Sequence, residues 1–252
     1  MSPRAPPTPP GPPHNPGLLQ LIEAKREWHW RPTLDELRRG FRGWHERGYL
    51  PHFDAPRITQ LVTFMLNDSF PITRRTEWEP YLKEPDTSTR RRKLEAWLDR
   101  GHGECWLRRP AIADAIRDVL RAGDGPDYRL RAWVIMPNHV HFIVDVQCVP
   151  LAKLVNTWKG KSARAANKLL GRVGPFWQAD YYDTLIRNEA HLCQAKRYVE
   201  ANPVKAGLAK EVAAWPWSSA CGQERGIHAA ETSLLPLLSN HPPLSPSHIS
   251  AA

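Results

Sequence analysis

Arg131–Val146 reads RAWVIMPNHVHFIVDV. Two runs rich in β-branched and aromatic residues flank a Pro-Asn break, which predicts two strands joined by a short turn. The second run carries His139 and His141 on either side of Val140. Residues two apart on a strand point to the same face, so the two imidazoles stand side by side. Placing two polar rings together on a strand of Val, Ile and Phe costs free energy unless a partner uses them. A divalent metal is the simplest such partner, because neutral imidazole is a common metal ligand. Hydrogen-bonded core histidines are the other reading, and a lone His-x-His does not choose between the two.

Downstream, Leu151 to Leu170 has the spacing of a long helix, with Leu151, Leu154, Val155 and Trp158 on its apolar side. Lys153, Lys159, Lys161 and Arg164 decorate the rest and are the candidate DNA contacts, since a phosphate needs only placed positive charge. Phe176 to Ile186 predicts a fourth strand, and Asn188 to Ala201 a final helix that Asn202-Pro203 should stop. Upstream, Arg57 to Leu66 predicts the first strand, Asp68 to Arg92 an irregular charged stretch, and Leu94 to Arg100 a short helix. Pro110 to Ala122 predicts a helix opened by its proline and ended by Gly123. The order β-α-β-β-α-β, then a last helix, is that of a ferredoxin-like split βαβ fold of the α+β class with an antiparallel sheet. That topology puts the first and third strands at the centre, so the two histidines would stand on a central strand.

The chain has 252 residues and a formal charge of +9, which suits a polyanionic partner. Its 11 tryptophans offer stacking surfaces or core, with core the better expectation for Trp158 and Trp177 amid apolar neighbours. Cys105, Cys148, Cys193 and Cys221 lie far apart without a C-x-x-C pair, so reduced thiols and a cytoplasmic protein are expected. No apolar run has transmembrane length and no signal-peptide apolar region opens the chain. Residues 1–17 are dominated by proline and should form an extended tail. Residues 18–48 should form a helical extension, with Thr33 and Glu36 as a capping box and Leu34, Leu37, Phe41 and Trp44 as its stripe. Its arginines (Arg38, Arg39, Arg42, Arg47) suit a solvated face or a DNA backbone equally. Residues 49–220 form the main domain, and 221–252 a loose Ser/Pro-rich tail.

The last helix carries Tyr198 and, four residues on, Asn202, which share a face. Packed on the face that bears His139 and His141, the phenol could approach a metal held there. A phenol is a poor nucleophile near neutral pH, with a pKa of about 10. A metal-polarised phosphodiester makes its attack feasible and yields a phosphotyrosine bond to a DNA end. Two nitrogens and an amide oxygen from Asn202, with open positions for phosphate oxygens, suit Mg²⁺ or Mn²⁺, with imidazole leaning toward Mn²⁺. Tyr181 and Tyr182 on the fourth strand are rival nucleophiles, because neighbours on a strand alternate faces.

The segments WVIMPNHVHFIV, FWQADYYDTLIRNEAHL, AKRYVEANPVKAGL and WPWSSA resemble the REP-associated tyrosine transposases, relatives of the single-tyrosine HUH transposases of insertion sequences. The resemblance runs from about Tyr49 to Ala220, including PHFDAP, LVTFML and WLDRGHGECWLR. It implies His139 and His141 as the metal-binding pair, Tyr198 as nucleophile and Asn202 at the helix's ligand position. It also implies single-stranded DNA ends and hairpins as partners, a 5′-phosphotyrosine with a free 3′-OH, and a monomer or homodimer away from membranes. Two other readings stand beside it. One is a catalytically silent hairpin-binding relative. The other is a metal hydrolase using water, for which Asp145 is the nearest candidate base, a long way along the strand from His141.

Overall fold

The computed structural model describes residues 31–47 and 50–221. The expected tail 1–17, the stretch 18–30 and residues 222–252 lie outside the described residues. In chain order the elements are α1 (Leu34–Arg39), β1 (Gly43–Arg47), β2 (Leu50–Asp54), β3 (Ile58–Met65), α2 (Arg75–Leu82), α3 (Thr87–Asp99), α4 (Pro110–Arg121), β4 (Tyr128–Ile135), β5 (His139–Val146), α5 (Leu151–Leu170), β6 (Tyr182–Ile186) and α6 (Glu189–Lys205). The main sheet runs β4-β5-β3-β6, every pair antiparallel. That is the split β-α-β-β-α-β order, with the histidine strand β5 and its partner β3 in the middle. Register places Met65 opposite His139, and Thr63 opposite both His141 and Tyr182.

Strand alternation divides the sheet into two unlike faces. Val62, Phe64, Val140, Phe142 and Val144 form the larger core with α4 and α5, through Ile112, Ile116, Leu154 and Trp158. Leu61, Ala132, Val134 and Ile143 pack against Ala195 and Val199 of α6 in a smaller cluster. The histidines belong to this second face, which α6 covers, with Arg91 of α3 donating to Thr184 beside it. Trp158 and Trp177 are buried core, with their indole N–H groups donating to Tyr128 and Ser162. The exposed edge of β4 is closed by the WPWSSA segment: Ile135 N–H donates to Trp217, Ser219 N–H to Trp133, and the Trp215 indole to Ile135.

Three stretches depart from the sequence expectation. The capping box of Thr33 and Glu36 is present, but α1 ends at Gly40 with φ 102°, and residues 43–47 form β1 rather than more helix. Phe41 is buried while Leu34 and Leu37 are exposed, so the four residues do not form one helical stripe. Asp68 to Arg92 is not irregular: it holds α2 and the first half of α3, whose start is capped by Asp86 accepting from Thr89 N–H at 2.6 Å. Ion pairs Arg75–Glu79 and Arg91–Glu95, each 2.8 Å, lace these helices one turn apart. The fourth strand is shorter than expected, because Phe176 and Trp177 pack into the core before regular pairing begins at Tyr182.

The β1–β2 hairpin is stapled to the sheet by the PHFDAP motif. Buried His52 pairs through Nδ1 with Asp183 on β6 and through Nε2 with Asp180 at 3.2 Å. Asp183 also accepts from the Phe53 N–H and the Gln60 amide, at 3.2 and 3.0 Å. Asp54 accepts the Leu151 N–H at 3.0 Å, capping α5, whose own N-cap Pro150 has no side chain to do so. Burial disfavours charge on His52, but hydrogen bonds to, and the charges of, Asp180 and Asp183 outweigh it and raise its pKa to about 9. A folded pKa above the unfolded 6.5 stabilises the protein fully below pH 6.5, and that contribution fades as pH rises to about 9. Thermal melts from pH 6 to 10 should therefore show a loss of stability across this window that His52→Gln lacks.

Candidate active site

His139 and His141 are each 1% exposed, and their rings stand 4.7 Å apart between centroids. Each has a partner for Nδ1 only. His139 Nδ1 meets Asn138 Oδ1 at 2.8 Å, and His141 Nδ1 meets Thr63 Oγ1 at 2.7 Å across the β3–β5 ladder. Asn138 is itself held, its amide donating to the His102 carbonyl. The tautomer that donates from Nδ1 leaves a lone pair on each Nε2, and both Nε2 atoms are buried without a partner. Burial, with the nearby Lys205 charge, pushes the His139 pKa down to about 3. Burial, His139 and the cations Arg91 and Lys205 hold His141 well below its usual value. Both rings are neutral at pH 7, the form that binds metals.

The last helix supplies the rest. Asn188 caps α6 by accepting the His191 N–H at 2.8 Å. Contrary to the expected stop at Asn202-Pro203, α6 runs on to Lys205: Pro203 is buried, and Ala206 N–H donates to the Asn202 carbonyl to close the last turn. Ala195, Val199 and Asn202 form the buried stripe against the sheet. An amide thus occupies a place where an apolar residue would be expected, and neither its Oδ1 nor its Nδ2 has a partner. Tyr198 lies beside this stripe with its ring 5.6 Å from that of His141, and its hydroxyl is also buried and unpaired. Burial and then the Glu95 carboxylate raise the phenol's pKa, so the free protein holds it protonated.

Structure thus brings together His139, His141, Tyr198 and Asn202. It separates them from the four candidate DNA contacts, which lie on α5 across the sheet. Lys153 donates to the Arg39 carbonyl at 2.6 Å, and Lys159 to the carbonyls of Ala179 and Asp180, so both are engaged in holding the fold. Lys161 and Arg164 are exposed and, among the described residues, unpartnered. Tyr181 is buried on the α5 side against His52, at 4.4 Å between rings. Tyr182 shares the histidine face, since it pairs with Thr63, and burial raises its pKa to about 12, as burial also raises that of Tyr198. Asp145 is taken by Thr59 at 2.8 Å and Arg131 at 2.6 Å. Sequence reasoning missed Thr63 and Asn138, which orient the imidazoles, and the charged rim of Glu95, Asp99 and Lys205. Asn138 adjoins His139 in sequence, but nothing local marks Thr63.

Each unpaired buried polar group costs about 1–3 kcal/mol. Five such atoms, His139 Nε2, His141 Nε2, Tyr198 Oη and both amide atoms of Asn202, gather between one helix and one sheet face. Their cost is offset if a cation and its ligands occupy the space. Among the described residues no cluster of three His, Cys, Asp or Glu could hold a metal, and the buried polar side chain that α6 sets against this face is the amide of Asn202. In chelator-treated protein, Asn202→Leu should raise stability by about 1 kcal/mol, because it removes two unpaired polar atoms at similar volume. A chemical-denaturation midpoint no higher than wild type would contradict that account.

Residues 109–202 match the family "Transposase IS200 like". A REP-associated tyrosine transposase of Escherichia coli K12 is 27% identical over 103 residues, covering 40% of this chain and 59% of that protein. A Haemophilus influenzae Rd protein provisionally given the same name is 30% identical over 96 residues, covering 34% and 54%. The alignments therefore span less than two thirds of either relative. A solved structure of a REP-associated tyrosine transposase bound to a REP hairpin aligns at 18% identity and TM-score 0.43, covering 82% of this chain and 99% of that one. No helix among the described residues is long and apolar enough to cross a membrane. The stretch that carries both histidines, Tyr198 and Asn202 is thus the part of the chain that matches the IS200-like transposase family, and over part of its length the chain is similar to REP-associated tyrosine transposases.

Proposed function

We propose that this chain is a transposase-like DNA-processing enzyme. It cuts and rejoins single-stranded DNA at repeat hairpins through a 5′-phosphotyrosine on Tyr198, with a divalent metal. The observation that carries the reading is the gathering of unpaired buried polar atoms, two imidazole nitrogens, an amide and a phenol, on the family-matched segment. The donor set fits Mg²⁺ or Mn²⁺: neutral imidazoles with fixed tautomers, and an amide oxygen with no other use. Bound there by His139, His141 and Asn202, the ion would polarise the phosphodiester and help align it.

The chain's own residues then have distinct tasks. Thr63 and Asn138 keep both Nε2 lone pairs aimed at the site. Asn202 offers its Oδ1 from the helix side. Tyr198 gives up its phenolic proton and its oxygen attacks phosphorus. The bond from phosphorus to the 3′ oxygen breaks, and that oxygen takes up a proton to leave as a free 3′-OH. Rejoining is the reverse, with a 3′-OH displacing the phenol, so no net bond energy is lost between the steps. Lys161 and Arg164, exposed on α5 across the sheet, would hold DNA away from the cut.

A silent hairpin-binding relative is separated from this reading by chelation. EDTA should abolish formation of a covalent protein–hairpin adduct while leaving hairpin binding intact. Tyr198→Phe should do the same without EDTA, and an adduct peptide containing Tyr181 or Tyr182 by mass spectrometry would refute the assignment. Thr63→Val should weaken Mn²⁺ binding by about 10–100-fold, read by calorimetry, because His141 loses the partner that fixes its tautomer.

A further inference from the structure

Lys205 sits three residues beyond Asn202, one turn further along α6, so Tyr198, Asn202 and Lys205 share a side of the helix at i, i+4 and i+7. Its Nζ lies 5.7 Å from the Tyr198 ring centroid and 3.1 Å from Asp99 Oδ2 at the end of α3. Its charge also reaches both imidazoles, depressing their affinity for protons. Asp99 is largely buried, and its other oxygen, Oδ1, has no partner. Lys205 itself is half-exposed. The ammonium end of this pair faces solvent, while the carboxylate end is largely buried. A cation beside the nucleophile and reachable from solvent is what an incoming phosphodiester would meet.

We propose that Lys205 contacts a non-bridging oxygen of the phosphodiester that Tyr198 attacks, passing from Asp99 to the DNA when the strand enters. This rests on the cleavage reading above. In it Asp99 is a positioning residue that parks the ammonium at the rim. The metal and Lys205 would then flank the phosphate, balancing its charge as the phosphorus–oxygen bonds exchange. Lysine suits this task because its ammonium is a compact charge on a flexible stem.

The test first maps the linkage that wild type cuts in a DNA hairpin with a 5′ single-stranded extension. Binding is then measured in the Tyr198→Phe background, which cannot cut. Two hairpins are compared, one native and one with a single uncharged methylphosphonate at the mapped linkage. With Lys205 present, the methylphosphonate should weaken binding about tenfold. With Lys205→Gln the two hairpins should differ by less than about twofold, and Lys205→Arg should restore the difference. Asp99→Asn with Lys205→Gln removes both charges and keeps the comparison valid if the single variant folds poorly. Equal sensitivity in both proteins, or none in either, overturns the role of Lys205 alone. Wild type that forms no adduct with any hairpin overturns the cleavage reading, and this inference with it.

Discussion

Everything at this site depends on two imidazoles being held neutral, oriented and unpaired inside a dry layer. Each ring is fixed through Nδ1 by a neighbour on rigid backbone, Thr63 across the ladder and Asn138 at the turn. Each Nε2 is left without a partner. A β-strand at the centre of a sheet is the stiffest support the fold offers, and two residues apart is the spacing that puts both rings on one side of it. The arrangement is costly on its own terms, because buried polar atoms without partners oppose folding. It persists because the larger core on the other face supplies most of the stabilisation.

The two faces of the sheet divide those tasks. Helices α4 and α5 cover one face with a continuous apolar core, and the PHFDAP hairpin locks its edge through His52 and Asp54. Helix α6 packs on the other, with Arg91 of α3 reaching Thr184 on the same face, and the buried stripe of α6 contains an asparagine. The phenol and the amide thus come from the helix, and the two imidazoles from the sheet beneath it.

Charge follows the same division. The cations of α5 that look most like a DNA-binding row are across the sheet from the histidines, and two of them hold the fold instead: Lys153 at the end of α1, and Lys159 on the loop before β6. The charges that bear on the phenol come from α3 and the end of α6. Glu95 and Arg91 act on Tyr198, and Asp99 holds Lys205. None of these is near Tyr198 in the manner that a row of lysines on one helix is near itself, so no local pattern announces them.

The sequence by itself determined the strand and helix order of the β-α-β-β-α-β core, the pairing of His139 with His141, and the shared face of Tyr198 and Asn202. These follow from periods of two and of three to four residues, which any chain of this pattern must obey. It misjudged the start of the chain, where β1 and β2 replace helix, Asp68 to Arg92, where capping and one-turn ion pairs extend α3 ahead of its buried Leu94, Trp97 and Leu98, and the end of α6, where burial keeps Pro203 within the helix. Only the tertiary structure decided which face α6 covers, that Thr63 stands opposite His141, and that Lys205 rather than Lys159 neighbours the phenol. Those facts depend on strand register and on helix docking, which bring together residues far apart in the chain and leave no trace in local spacing.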